Sequence, residues 1–218
     1  MYLAYALAPP LCWGCGGPAR RREPLCGRCR GSLQRLAGEP VSLSGVSVWA
    51  PMAYAGPARD LVRALKFRGA RGAADAMAAQ MAANAPPGLL DDVLGGATLV
   101  PVPLHPRRLR SRCYNQAAEI ALALARRTGL ELADCLVRSG GGATQVGRDR
   151  AERRAGPHGA IATCASPRDS PVAGAPARVV LVDDVVTTGG TLAACRAALL
   201  AAGSEDVAAV AFARTLGR

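Results

Sequence analysis

The chain has 218 residues, 50% of them hydrophobic, and a net charge of +11. That length buries a substantial core as one domain, or as one domain with a small appendage, and no apolar run reaches membrane-spanning length without a charge or a proline. The basic residues are 26 Arg and one Lys, a surface that attracts polyanions without naming one; with two Phe and two Trp, a single-strand nucleic-acid surface would lean on arginine.

The opening residues, MYLAYALAPP, lack the basic start of a secretory signal and read as a strand or a packing lid, so a cytoplasmic protein is expected. Cys12-Trp-Gly-Cys15 and Cys26-Gly-Arg-Cys29 follow, ten residues apart. Each CxxC sets two thiolates on one side of a tight turn, and two such turns complete a tetrahedral four-cysteine zinc site. Disulfides or a redox pair compete with this reading. They fit less well, because redox motifs do not usually come as two spaced pairs in a segment too small to fold alone. The intervening loop is shorter than is usual for the zinc pattern. Residues 1–44 are therefore expected to be a zinc ribbon with its linker, including a short basic helix or turn at Gly31–Gly38, and residues 45–218 a second domain.

In that second domain Val46–Tyr54 reads as a strand, Pro57–Lys66 as a helix with Leu61, Val62 and Leu65 on one face, and Ala73–Ala83 as another helix. Lys66 stands out in a chain that otherwise uses Arg. A compact ammonium set against phosphate near a cleft would explain it, and so would chance. Thr98–Val102 is a short buried strand that Pro101 and Pro103 end abruptly. Arg107, Arg108, Arg110 and Arg112 then follow on what reads as a loop, four guanidiniums able to hold phosphate oxygens in forks. His105 either donates a hydrogen bond there or decorates the turn. Asn115–Arg127 is a helix with Ala118, Ile120, Ala121, Leu122, Leu124 and Ala125 crowding one side. Leu132–Val137 and Ala160–Cys164 read as strands around a Gly- and Arg-rich stretch, Ser139–Pro157, expected to be a mobile loop; Ser166–Pro176 is a proline-rich connection.

The most informative stretch comes next, RVVLVDDVVTTGGTL from Arg178 to Leu192. Val179–Val182 has the continuous aliphatic pattern of a parallel strand covered on both faces. It ends on Asp183 and Asp184, and Val185, Val186, Thr187, Thr188, Gly189, Gly190 and Thr191 lead into an Ala/Leu-rich helix, Leu192–Ala202. A helix N-terminus with glycines and hydroxyls suits an anion. The two acids would repel a phosphate and must face something else, such as sugar hydroxyls or a phosphate-bound divalent cation. No Gly-Lys-Ser/Thr and no GxGxxG is present, so this is neither a Walker loop nor a dinucleotide fingerprint. A last strand, Val207–Ala213, completes an alternation of strands and helices. That alternation implies an α/β fold with a mostly parallel, doubly wound sheet and ligands at its carboxyl edge.

The Asp-Asp and Thr/Gly segment resembles the phosphoribosyl pyrophosphate (PRPP) loop of type I phosphoribosyltransferases. Together with the four cysteines, the Leu-Lys-Phe segment, VPVPLHPRRLRSRCYNQ from Val100 to Gln116 and TQVGRDRAERR from Thr144 to Arg154, the chain is similar to the ComF/GntX family from about Leu11 onward. The resemblance implies a type I phosphoribosyltransferase domain behind an N-terminal zinc ribbon, binding PRPP with Mg2+. It implies that Thr187–Thr191 anchor the 5-phosphate, and that Asp183 and Asp184 hold the ribose hydroxyls near the developing positive charge. Arg107, Arg108, Arg110 and Arg112, with Mg2+, would hold the pyrophosphate, with Lys66 beside them and the loop carrying Thr144, Gln145, Arg148, Arg153 and Arg154 closing over the site. Cys113 stands where the family has Gly, a position that implies a special backbone conformation. A role in DNA uptake or DNA utilisation is implied as well. No acceptor pocket is legible, so two readings stay open: transfer of the phosphoribosyl group, or PRPP sensing or single-stranded DNA binding without turnover, with other DNA-uptake proteins as partners.

Overall fold

The computed structural model describes residues 10–20, 23–36, 38–91, 96–139, 161–164 and 175–217. A one-turn helix α1 (Gly27–Gly31) precedes a hairpin of β1 (Val41–Leu43) and β2 (Val46–Trp49). Then come β3 (Met52–Ala53), α2 (Gly56–Phe67), α3 (Gly72–Asn84), β4 (Thr98–Pro101), α4 (Pro106–Arg112) and α5 (Gln116–Thr128). The chain continues through β5 (Leu136–Arg138), β6 (Ile161–Thr163), β7 (Arg178–Val186), α6 (Gly190–Ala201) and β8 (Asp206–Arg214).

The main sheet has the order β1-β2-β8-β7-β4, with β3 pairing further along β8. Its ladders are parallel except for β1 against β2. Every residue from Val179 to Val182 is buried, as expected of a strand covered on both sides. Val180 and Val182 pack with Leu61, Met77 and Ile120 of α2, α3 and α5, whereas Val179 and Leu181 pack with Leu192, Cys195 and Leu199 of α6. The helix after β4 thus covers one face and the helix after β7 the other. Two adjacent parallel strands release the chain in opposite directions at their carboxyl ends, the arrangement that opens a binding crevice in α/β sheets.

Local signals explain the element ends. Asn115 Oδ1 accepts from the Ala117 N–H at 3.1 Å to cap α5, and Gly129, at φ +77°, closes it. The strand expected at Val46–Tyr54 is broken at Ala50 and Pro51, because proline has no N–H for the ladder. The chain turns there, and the Leu36 N–H donates to Pro51 O at 2.8 Å. Residues read as linker also enter the sheet, since Val41 of β1 pairs with Val48 of β2.

Three further expectations differ from the fold. The basic helix lies at Gly27–Gly31, one turn before Gly31–Gly38, because Cys26 is its N-cap. The arginine-rich loop is helix α4: Pro106 opens it and His105 Nδ1 accepts from the Arg107 N–H at 3.2 Å. His105 therefore acts as an acceptor, and desolvation with Arg138, Arg107 and Arg108 nearby lowers its pKa, which favours that neutral form. In the stretch Leu132–Val137, Leu132 bridges Leu99 at the edge of the main sheet, while β5 pairs antiparallel with β6 in a separate two-stranded sheet. The expected mobile loop beyond Ser139, with Thr144, Gln145, Arg148, Arg153 and Arg154, lies outside the described residues, as do most of the opening MYLAYALAPP and of the Ser166–Pro176 connection. No helix among the described residues is long and apolar enough to cross a membrane.

Candidate functional site

At the carboxyl ends of β4 and β7 lies a cavity of about 170 Å³. It is lined by Lys66 from α2, Arg108 and Arg112 from α4, Asn115 and Gln116, Arg138 from β5, and Asp183, Asp184, Val185 and Thr191 from β7 and the start of α6. Half of the residues singled out from sequence for a phosphosugar site meet here: Lys66, Arg108, Arg112, Asp183, Asp184, Val185 and Thr191. Arg107 and Arg110 do not line it and are exposed on the outer side of α4. Val186, Thr187, Thr188, Gly189 and Gly190 likewise lie outside the lining, forming the turn behind it.

The two acids have different environments. Asp184 is 6% exposed, and its Oδ1 takes an ion pair from Lys66 Nζ at 2.8 Å. The chain's single lysine therefore neutralises a buried carboxylate at the end of α2. Asp183 is partly buried and accepts from the Asp184 N–H at 2.8 Å. Burial, followed by the Asp184 charge, pushes the Asp183 carboxyl up to about 7, against the pull of that hydrogen bond, Lys66 and Arg138. Burial and the Asp183 charge also push the Cys195 thiol up to about 12, leaving it an inert core side chain.

Arg138 is the site residue that sequence reading missed. It sits at the end of β5, close enough to feel the charges of Asp183 and Arg108. The signal was weak: β5 is three residues long, and only its pairing with β6 fixes which way it runs.

The Thr/Gly turn rests on the β1–β2 hairpin. Ser44 Oγ donates to Thr188 O at 2.9 Å, and Gly189, at φ +83°, lies where an added Cβ would stand 2.8 Å from Leu43 Cβ and 2.9 Å from Leu43 O. Both the left-handed backbone and the close approach require glycine. Replacing Gly189 with Ala is expected to lower stability by about 2 kcal/mol or more in urea denaturation, since the left-handed conformation alone costs about 1–2 kcal/mol. A loss below about 0.5 kcal/mol, the range of neutral surface changes, would show that the hairpin does not brace this turn. Cys113 takes the left-handed conformation as well, at φ +64°, where it ends α4.

A second site lies in the N-terminal segment. The sulfurs of Cys12, Cys15, Cys26 and Cys29 lie within 4.8 Å of one another. Tetrahedral zinc with Zn–S of about 2.3 Å has sulfur–sulfur edges of about 3.8 Å, and the Cys15 and Cys26 sulfurs are 3.8 Å apart. Four soft donors at that spacing fit zinc. The turns are held by the Gly16 N–H to Cys12 O at 2.8 Å and the Arg30 N–H to Cys26 O at 3.0 Å. Gly14 lies close against the cluster: a Cβ there would stand 3.1 Å from the Cys29 sulfur and 3.2 Å from Leu25 Cδ2, so both neighbours would have to shift. Burial raises the Cys12 thiol, but N–H groups of Cys26, Cys15 and Gly14 outweigh it and bring Cys12 down to about 6. Burial and the other three sulfurs send Cys29 up to about 12. Cys12, Leu25 and Cys29 share one apolar cluster with Leu61 and Met77 of the α/β unit, so the cysteine segment is packed onto it.

No protein-family model and no curated protein matches this chain.

Proposed function

We propose that this chain binds PRPP with Mg2+ in the cavity at the ends of β4 and β7, as a phosphoribosyltransferase-like protein of ComF/GntX type with a structural zinc ion. The observation that carries the reading is convergence. Two carboxylates, the start of a Thr/Gly-led helix, and the guanidiniums of Arg108, Arg112 and Arg138 face one cavity. On this reading the 5-phosphate lies at the edge of the cavity, against Thr191 and reaching past it to the Thr187–Gly190 turn, because these present N–H groups and hydroxyls at a helix N-terminus. Asp183 takes ribose hydroxyls, and Lys66 fixes Asp184 beside it. Arg108, Arg112 and Arg138 hold the pyrophosphate.

Mg2+ is usually bound by one or two carboxylates together with substrate phosphates. Asp183 fits this role, since Asp184 is already neutralised by Lys66. The ion would neutralise charge on the departing pyrophosphate. If transfer occurs, these residues orient the sugar and stabilise charge as pyrophosphate leaves C1.

PRPP with Mg2+ is expected to raise the melting temperature, with about 2.7 kcal/mol of stabilisation at a hundredfold excess over Kd. Asp183→Asn should remove most of the effect. The shift should be larger at pH 8 than at pH 6, because ionising Asp183, at about 7, strengthens its hold on the cation. In Asp183→Asn only the ligand's own titration would remain. An unchanged melting temperature for the native chain overturns the assignment.

The exposed Arg107 and Arg110 favour a second reading, a binding protein for single-stranded DNA without turnover. That binding would weaken steeply with salt and would serve DNA uptake or DNA utilisation.

A further inference from the structure

Phe67 ends α2 immediately after Lys66, which lines the cavity, and is 71% exposed. Among the described residues it is the one aromatic side chain in the exposed class, while Phe212 and Trp49 are buried in the core. Burying a Phe side chain is favourable, and the chain forgoes most of that gain here. The ring is nonetheless held. The Arg112 guanidinium lies over one face, 5.1 Å from the ring centroid, and Arg112 donates to Oε1 of the buried Gln116 at 2.8 Å. Arg112 also lines the cavity.

The turn beneath is pinned in the same manner. The Tyr114 hydroxyl donates to Leu65 O, and Arg71 lies over the Tyr114 ring at 5.0 Å. Phe67 is therefore a ring held with a cation on one face, next to a cavity that Arg108, Arg112 and Arg138 make attractive to phosphate.

We infer that Phe67 is a stacking platform for a nucleobase whose ribose phosphate occupies the cavity. This rests on the phosphosugar reading of that cavity. The residues that line the cavity are polar or aliphatic, with no aromatic side chain among them, so the aromatic face that a base favours is the one beside it, on Phe67. Base–aromatic stacking tolerates any base, because each has a π-face. The ligand class is therefore a nucleotide, either free or within a single strand.

The test compares the native chain, Phe67→Ala and Phe67→Trp with three probes: PRPP, which has no base; a nucleoside 5′-monophosphate; and a short single-stranded oligonucleotide. Phe67→Ala is expected to weaken nucleotide binding on the order of tenfold and to leave PRPP binding unchanged. Phe67→Trp should retain nucleotide affinity, with its fluorescence quenched by the base against the constant background of Trp13 and Trp49. Equal nucleotide affinity in native and Phe67→Ala proteins overturns the platform, as does an equal loss of PRPP and nucleotide. Binding of nucleotide but not PRPP, still sensitive to Phe67, retains the platform and removes PRPP as the ligand. A Phe67 effect on the oligonucleotide alone identifies a strand as the source of the base.

Discussion

Replacing Lys66 with Met is expected to destabilise the fold by about 3–5 kcal/mol, the range for breaking a buried ion pair by removing one partner. The Asp184 side chain is 8% exposed and that of Lys66 22%, so removing the ammonium leaves a carboxylate buried without a partner. Met retains the apolar stem, and little of the loss comes from packing. The double variant Lys66→Met, Asp184→Asn should recover most of the stability, because neither charge then remains; urea denaturation of the four proteins measures the coupling directly. A loss below about 1 kcal/mol, the level of an exposed pair, would mean that water reaches Asp184 and that Lys66 serves only the ligand. Lys66→Arg separates the two roles. A planar guanidinium keeps the charge but does not fit the place of a compact ammonium, so stability should fall less than with Met.

That ion pair shows how far the sequence could be read. Lys66 was conspicuous as the chain's single lysine, and the acids were conspicuous at the end of β7. Their contact depends on α2 packing across the sheet beside β7, which no local pattern contains. Val179–Val182 and the Asn115-capped α5 were legible because burial on both faces and helical periodicity are local properties. The β1–β2 hairpin was not. Its first strand, β1, read as linker while β2 fell within the expected strand, and the hairpin's importance comes from Leu43 and Ser44 lying against Gly189 and Thr188. The arginines of α4 were legible as a cluster but not as a helix. Winding turns Arg108 and Arg112, four residues apart, toward the cavity and leaves Arg107 and Arg110 outside it. The left-handed backbone at Cys113 matches the special conformation that a glycine at that place implied. Arg138 became visible only through the pairing of β5 with β6.

Metal removal is the other large effect. The four-cysteine cluster should bind about one zinc per chain, and apparent binding free energies for such structural sites are about 10–16 kcal/mol near neutral pH. Only part of that appears as stability, because the unfolded segment retains its thiols and binds metal weakly. Stripping the metal with a chelator, or replacing both Cys12 and Cys29 with Ser, should therefore unfold the 10–36 segment, read by loss of amide-exchange protection. The effect should also spread. Cys12, Leu25 and Cys29 lie in the same apolar cluster as Leu61, Ala73 and Met77, so an unfolded cysteine segment exposes the outer surface of α2 and α3 and lowers the melting temperature of the α/β unit. Acid should act in the same direction, since zinc needs all four sulfurs as thiolates and Cys29, at about 12, ionises near neutral pH only with metal present. Zinc release on acidification should thus coincide with the loss of protection. Unchanged protection after the metal is stripped would sink the assignment. Loss of protection confined to the segment, with the α/β unit melting as before, would instead show that the shared cluster contributes little and that the ribbon is an independent module.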